Sequence, residues 1–166
     1  MSRAFVKEDE GEARALRVAP PLPPGVSNVI TPSGAAAFAA QTAALRDQAE
    51  ALSAAGRLGD GVAAAQRKAL DEELRWREDR AQTFVITAPP DDPEVVSFGC
   101  AVEVEGARGR RWLRLLGVDE LGRAQGAVSW RSPVGSALLG AALGDEVALR
   151  TPAGEERVEV LTIRPA

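Results

Sequence analysis

Large hydrophobic residues recur every seven positions in one segment of the chain. Phe38, Leu45 and Leu52 form this series, and Thr42 and Ala49 occupy the intermediate positions of the same stripe. A heptad spacing keeps one side of a helix apolar, so this segment is predicted to be a helix that packs against a second helix.

This helix has recognisable start and stop signals. Thr31 is a suitable N-cap and Pro32 suits the first helical position, which predicts a helix of about 22 residues beginning there. Three glycines between positions 56 and 61 then favour a turn over a continuing helix.

A second helix is predicted after the glycines, with Leu70, Leu74 and Ala81 on one face and charged residues largely on the others. Two such helices joined by a short connection form an antiparallel hairpin. Residues 31–81 are therefore predicted to be an antiparallel α-helical hairpin, a short coiled coil.

From position 82 onward the hydrophobic period changes to two. Phe98, Cys100, Val102 and Val104 alternate with small or charged residues, which is typical of a half-buried strand. Cys100 is expected to behave as a small buried hydrophobe within this strand.

The rest of this part adds one helix and a closing hairpin. A Ser-Pro pair predicts a short helix from 134 to about 142, and residues 146–163 predict a β-hairpin. Residues 82–166 are thus predicted to form a small antiparallel sheet with one short helix. The fold class predicted for the whole chain is α+β.

The first thirty residues differ from both of these parts. They are charged at first and then proline-rich, with the sequence PPLPPG at 20–25. Proline runs favour extended backbone, so residues 1–30 are predicted to be an extended arm, with an unstructured tail as the alternative.

Composition narrows the chemistry that the chain can perform. It contains no His and a single Cys, so a Ser-His-Asp triad, a Cys-His pair and most zinc sites are excluded. A lone Cys cannot form an internal disulfide, and no run of about 18 apolar residues is present. We therefore expect a cytoplasmic protein without a membrane span. The net charge of −4 argues against a surface that coats nucleic acid.

Four short segments form a distinctive set. They are VSWRSPVGSALLG at 128–140, GDEV at 144–147, TPAGE at 151–155 and TPSG at 31–34. Together with the opening MSRAFVKE, they resemble the GreA/GreB family of transcript cleavage factors, with an amino terminus of the GreB type. The resemblance covers nearly the whole chain and is most specific after residue 82.

The resemblance implies a fold, a partner and a role. Gre factors join an antiparallel coiled coil to an FKBP-like globular domain that docks at the secondary channel of bacterial RNA polymerase. Two carboxylates at the coiled-coil tip help hold the second Mg²⁺ of the polymerase, which cleaves its own backtracked RNA. The resemblance implies a regulatory factor that is not an enzyme and has no cofactor of its own. We accordingly expect a monomer that binds core RNA polymerase but no membrane, without independent sequence-specific binding to nucleic acid.

The tip motif is incomplete in this sequence. The family pattern Gly-Asp-x-x-Glu-Asn-Ala-x-Tyr aligns best with residues 59–67, which places Asp60 at the Asp position. Ala63 stands at the Glu, Ala64 at the Asn and Arg67 at the aromatic position. The first arm is also shorter than in GreA by about five residues, or roughly 7 Å of helix. The sequence therefore predicts little or no stimulation of transcript cleavage, and Asp60 is either a residual tip carboxylate or a turn residue.

Two further groups are candidates for contact with the polymerase. Arg131, Ser132 and Pro133 match the family loop that faces it, although Ser-Pro is also an ordinary helix start. The second group consists of basic residues near the tip that are candidates to face the channel, with a solvated helix surface as the alternative. These are Arg57, Arg67 and Lys68.

Another basic group surrounds a turn in the second part of the chain. Arg108, Arg110, Arg111 and Arg114 are close together in sequence. We interpret them as a solvated hairpin end rather than a nucleic-acid site.

Other functions stay open at this point. The short hairpin is also similar to Rnk, a Gre-like protein that binds polymerase without restoring cleavage, which favours a competing factor. An FKBP-like fold permits a peptidyl-prolyl isomerase, although this domain has few aromatic residues for such a pocket. A general protein-interaction scaffold is the third alternative.

Overall fold

The computed structural model describes residues 22, 25–54, 61–152 and 154–166. Helices and sheets occupy separate parts of this chain, which confirms the α+β class. The elements in chain order are β1 (Asn28–Ile30), α1 (Pro32–Ala54), α2 (Gly61–Gln82), β2 (Phe84–Ile86), β3 (Cys100–Gly106), β4 (Gly109–Leu116), a 3₁₀ turn (Val118–Glu120), β5 (Ala127–Ser129), α3 (Pro133–Leu138), β6 (Glu146–Thr151) and β7 (Gly154–Pro165).

Helices α1 and α2 pack against each other along the stripe that the heptad pattern predicts. On α1, Phe38 and Ala49 are buried, while Leu45 and Leu52 are half-buried. The helix begins where predicted, because the Thr31 hydroxyl accepts a hydrogen bond from the Gly34 amide at 2.9 Å.

The inner face of α2 differs in part from the predicted one. Ala63 is buried and Leu70 and Leu74 are half-buried, whereas Ala81, which is predicted on the same face, is exposed near the end of the helix. The last turn of α2 directs Arg80 rather than Ala81 toward the globular part, because Arg80 meets a buried carboxylate there.

The hairpin ends on a small apolar base. The Phe38 ring makes an edge-to-face contact with Phe84 at 4.9 Å between centroids, and the Trp76 ring lies 6.5 Å away. Beside this base, β1 and β2 pair in parallel, with Asn28 opposite Phe84 and Ile30 opposite Ile86. At the end of the predicted extended arm over residues 1–30, residues 28–30 form a strand because they find a partner 56 positions later. Residues 1–21 lie outside the described part of the chain.

The main sheet has the strand order β5-β4-β3-β7-β6. Four of its strands are antiparallel neighbours, but β4 and β5 run parallel, so the sheet is mixed and the purely antiparallel prediction is wrong. The parallel pair arises because the chain leaves β4 through the 3₁₀ turn and returns along the same direction, instead of reversing in a tight turn. The FKBP-like character of this part stays a prediction.

The core lies between one face of this sheet and α3. Cys100, Val102 and Val104 on β3 are fully buried there, as the alternating pattern predicts, and Leu138 of α3 packs among them. Helix α3 is shorter than predicted. It ends at Leu138 because Leu139 leaves helical geometry and Gly140 adopts a φ of 82°.

One acidic residue of the 3₁₀ turn holds the entry into the hairpin. The Glu120 carboxylate is 3% exposed and accepts hydrogen bonds from the Thr31 amide at 3.1 Å, the Thr31 hydroxyl and the Gly117 amide at 3.0 Å. It lies so close to Gly34 that a Cβ at that position would overlap it. The start of α1 is therefore fastened to the globular part by a buried carboxylate.

Its neighbour Asp119 contacts β1 and the last turn of α2 at the hairpin base. The Asp119 carboxylate is 2% exposed, accepts from Arg80 Nε at 3.0 Å and accepts from Asn28 Nδ2 at 2.8 Å. The same Asn28 amide also donates to the Thr83 hydroxyl at 3.0 Å. Entry and exit of the hairpin thus share one anchor.

We predict that Glu120→Ala lowers the free energy of unfolding by about 2–4 kcal/mol, since it leaves buried donors without an acceptor. Chemical denaturation followed by circular dichroism measures this change. Glu94→Ala, in an exposed loop, is the control and should stay within about 0.5 kcal/mol of the unmodified chain. Equal stability of the two variants would contradict the role assigned to Glu120.

Candidate functional site

The distal end of the hairpin carries the residues that match the tip motif. Arg57 and Asp60 lie outside the described residues, so their predicted roles stay predictions. Ala63, two residues into α2, is only 9% exposed, whereas Ala64 is exposed. The position at which the motif would have its Glu is therefore buried rather than open to solvent.

Arg67 forms contacts within the hairpin. Its Nε lies 2.9 Å from Asp71 Oδ1, and its Nη1 donates to the Ala49 carbonyl on α1 at 3.0 Å. Lys68, the next residue, has an 80% exposed side chain, 4.0 Å from Glu72. Of the described pair of predicted channel-facing residues, Lys68 projects into solvent and Arg67 bridges the two helices.

The segment before α3 is held in a fixed shape by Ser132. Its hydroxyl accepts from the Gly135 amide at 3.1 Å and donates to the Ser129 carbonyl at 2.7 Å. Pro133 occupies the first turn of α3 and is exposed. The helix-start interpretation of this Ser-Pro pair is confirmed, and its exposed proline leaves it available for contact with a partner.

Arg131 lies on an aromatic support beside this cap. Its guanidinium is 5.8 Å from the centroid of the Trp130 ring, and Trp130 makes an edge-to-face contact with Phe98 at 6.1 Å. Trp130 packs against the core, so Arg131 is presented from a rigid base. The structure thus brings together Arg131, Ser132 and Pro133 in one exposed turn.

Two exposed apolar side chains, Leu143 and Val95, were not among the functional candidates predicted from the sequence. Leu143 is 67% exposed and Val95 is 47% exposed, and Val95 pairs with Ala142, the residue before Leu143. The position of Leu143 in a Gly-rich turn was the available signal, but a single turn leucine is common at protein surfaces.

Three of the four arginines assigned to the β3–β4 turn, Arg108, Arg110 and Arg111, lie beside carboxylates, whereas Arg114 lies farther along β4, opposite Ala101. Arg111 Nη2 lies 2.8 Å from Glu156 Oε2, and Arg108 donates its backbone N–H to the same carboxylate at 3.2 Å. Hydrogen bonding from Arg111 holds the pKa of Glu156 below its usual value, while Glu105 raises the pKa of Arg110. These contacts agree with the interpretation of a hairpin end.

Known proteins place these features in a family. The sequence model "Transcription elongation factor, GreA/GreB, C-term" matches residues 90–165. Transcription elongation factor GreB of Pseudomonas aeruginosa is 35% identical over 154 residues, which cover 84% of this chain and 91% of that protein. The chain belongs to the GreA/GreB family. This Gre factor is thus a member of a family of transcription elongation factors, which are not enzymes by themselves.

Other relatives are similar over a shorter range. GreB of Neisseria meningitidis serogroup A is 34% identical over 97 residues, and the match spans 57% of this Gre factor and 60% of that relative. Among solved structures, Gfh1 (GreA factor homolog 1) of Thermus thermophilus has 22% identity and a TM-score of 0.40, covering 84% of this chain and 99% of that one.

Two kinds of feature are absent from the described residues. None of the helices in this part of the chain is both long and apolar enough to cross a membrane. Within the same residues, no group of three or more His, Cys, Asp or Glu side chains could hold a metal ion.

We predict that Ala63→Glu destabilises the hairpin by about 1–3 kcal/mol, because it forces a carboxylate into the packed face of α2. Ala64→Glu is the matched control, since its exposed position lets the new side chain pair with Lys68 one turn later. Thermal unfolding of both variants, followed by helical circular dichroism, measures the difference. A Glu tolerated equally at both positions would show that Ala63 is not a packing residue.

A second prediction concerns pH and Glu156. Because the pKa of Glu156 is lowered in the folded protein, its ionised form stabilises the fold above the ordinary Glu pKa of about 4.3. This contribution is lost as the pH falls through the lowered pKa. Glu156→Gln should therefore be less stable than the unmodified chain at neutral pH, and the gap should narrow as the pH falls below the ordinary Glu pKa.

Unfolding free energies measured across this pH range test the Glu156 prediction. Glu155→Gln is the control, because the Glu155 side chain is 56% exposed and lies 3.8 Å from Arg150. A stability gap for Glu156→Gln that does not change with pH would contradict the assignment.

Proposed function

We propose that this Gre factor binds core RNA polymerase at the secondary channel and regulates elongation, with little or no stimulation of transcript cleavage. Membership in the GreA/GreB family supports the elongation role. The relationship to GreB of P. aeruginosa extends over both the hairpin and the sheet, so it includes each part that the proposal uses.

The docking surface is proposed to be the turn formed by Arg131, Ser132 and Pro133. Two properties support this choice. The turn is rigid, because Ser132 bonds to backbone on both sides of it, and it is exposed at Arg131 and Pro133. A rigid exposed turn loses little conformational entropy on binding. We further propose that the sheet and α3 form an FKBP-like domain.

Ala63 is the observation that carries the proposal of weak cleavage. A methyl group cannot ligate a cation, whereas Mg²⁺ binds oxygen ligands at about 2.0–2.1 Å. Ala63 is also buried, so a longer side chain at this position would start from a buried site. Ala63 is therefore unsuitable for holding the second Mg²⁺ of the polymerase, both in its side chain and in its buried position.

The other functions considered are not favoured. A peptidyl-prolyl isomerase requires an aromatic pocket, and Trp130 and Phe98 contact each other here instead. A general scaffold would not account for similarity to GreB along most of the chain.

We expect the full chain to bind purified core polymerase, and Arg131→Ala with Pro133→Ala to weaken binding by about tenfold, since both side chains are exposed in the docking turn. Biolayer interferometry measures the Kd. Ser132→Ala is left out of this pair because loss of the cap would shift the backbone itself. Ser136→Ala, on an exposed position of α3, is the control and should not change the Kd. An unchanged Kd in the double variant would place the docking surface elsewhere.

A second experiment measures chemistry. Saturating protein should not accelerate shortening of a labelled transcript in backtracked polymerase complexes, and it should lower the activity of an added GreB by competing for the channel. Ala63→Glu should not rescue cleavage. It supplies a carboxylate, but the hairpin is still shorter than in GreA and position 63 is still buried. Purified GreB alone is the positive control. Rapid shortening by the unmodified chain would refute the proposal.

A further inference from the structure

Three arginines gather at one end of the outer sheet face. Arg114 and Arg164 lie on the strands on either side of Ala101, each directly opposite it. Arg164 is stacked 4.2 Å from the centroid of the Trp112 ring on the same face. Arg123, after the 3₁₀ turn, lines a cleft together with Arg114. We call Arg114, Arg123, Arg164 and Trp112 the Arg114 patch.

The Arg114 patch differs from the rest of the sheet in its charge balance. Elsewhere on this sheet arginines lie beside carboxylates, as Arg110 does with Glu105 at 3.2 Å and Arg157 with Glu146 at 3.9 Å. Among the described residues, no carboxylate lies within 4.0 Å of a guanidinium nitrogen of the patch. The patch guanidinium groups therefore form no ion pair with the described carboxylates.

The patch arginines also keep hydrogen-bond donors for a ligand. Arg114 uses Nη1 to donate to the Gln125 carbonyl, and Arg123 uses Nη1 to donate to the Gly34 carbonyl at 2.9 Å. A guanidinium has five N–H donors in a planar fork that matches a carboxylate. These backbone contacts orient the side chains and leave most of their donors unused.

A cleft of about 200 Å³ adjoins the patch, between the sheet and the first turn of α1. Leu116 forms an apolar part of its wall and is 7% exposed. Glu120 also lines the cleft, but its oxygens are occupied by Thr31 and Gly117. The cleft thus offers an apolar wall with two arginines beside it, which suits the side chains of a peptide.

We propose that the Arg114 patch and this cleft bind an acidic segment of a protein partner, whose Asp or Glu side chains pair with the three arginines. A nucleic-acid backbone fits less well, because Glu103 and Glu105 occupy the next positions along the same face of β3 and would repel a continuous row of phosphates. This inference is independent of polymerase binding by the docking turn.

The test is binding of a fluorescein-labelled oligoglutamate peptide to the full chain, followed by fluorescence anisotropy. Arg114→Gln with Arg164→Gln should weaken binding at least about fivefold, and raising NaCl from about 0.1 to about 0.5 M should weaken it further. The control is Arg150→Gln with Arg157→Gln, on the β6–β7 hairpin, where these side chains are 83% and 80% exposed. It should change the Kd less than twofold, roughly the effect of losing exposed charge alone.

Arg123→Gln provides a second variant, because this exposed loop side chain can be changed without altering a strand. It should weaken binding about twofold or more. Equal losses in the patch and control variants would overturn the proposal. Tighter binding of a single-stranded RNA of equal charge, lost in the patch variant, would overturn it in favour of nucleic acid. A dimer that only the patch variants dissociate, seen by light scattering, would instead assign the surface to a second copy of the chain.

Discussion

Two consecutive buried carboxylates determine how the hairpin is joined to the sheet. A buried charge is costly unless each oxygen finds a partner, so Asp119 and Glu120 constrain whatever surrounds them. Glu120 requires the Thr31 backbone and hydroxyl, and Asp119 requires Arg80 and Asn28. Because these partners come from the entry and the exit of the hairpin, one turn sets the position of both helices. Because the segments that enter and leave the hairpin are held side by side, they pair with each other as strands β1 and β2.

Local interactions were the part of this structure that the sequence predicted well. Thr31 and Ser132 each cap a helix through a contact three residues away, and such caps depend on short sequence signals. The heptad pattern around Phe38 and the alternating pattern around Cys100 also predicted buried residues correctly, since both side chains are buried. At the candidate site, the sequence located the exposed turn at Arg131 for the same reason, since a Ser-Pro pair marks a helix start wherever it occurs.

Contacts between distant residues were not predictable in this way. Asn28 and Asp119 are separated by 91 positions, and no pattern around either residue specifies the other. The parallel pairing of β4 with β5 depends on the path of the intervening turn, which packs on β1. Arg67 has the sequence context of a solvated helix residue, but its length lets it reach the Ala49 carbonyl across the seam. Each of these features depends on geometry that only the assembled fold provides.

The distal hairpin links packing to chemistry through side-chain size. Small residues let two helices approach closely, and Ala49 and Ala63 are both buried in the α1–α2 hairpin. The Ala49 carbonyl is then near enough for Arg67 to bond to it. A carboxylate at position 63 would have to separate the helices or leave the seam, and either movement would disturb the Arg67 contact. Position 63 can therefore serve close helix packing or carry a second acidic ligand, but not both. The alanine in this sequence suits packing.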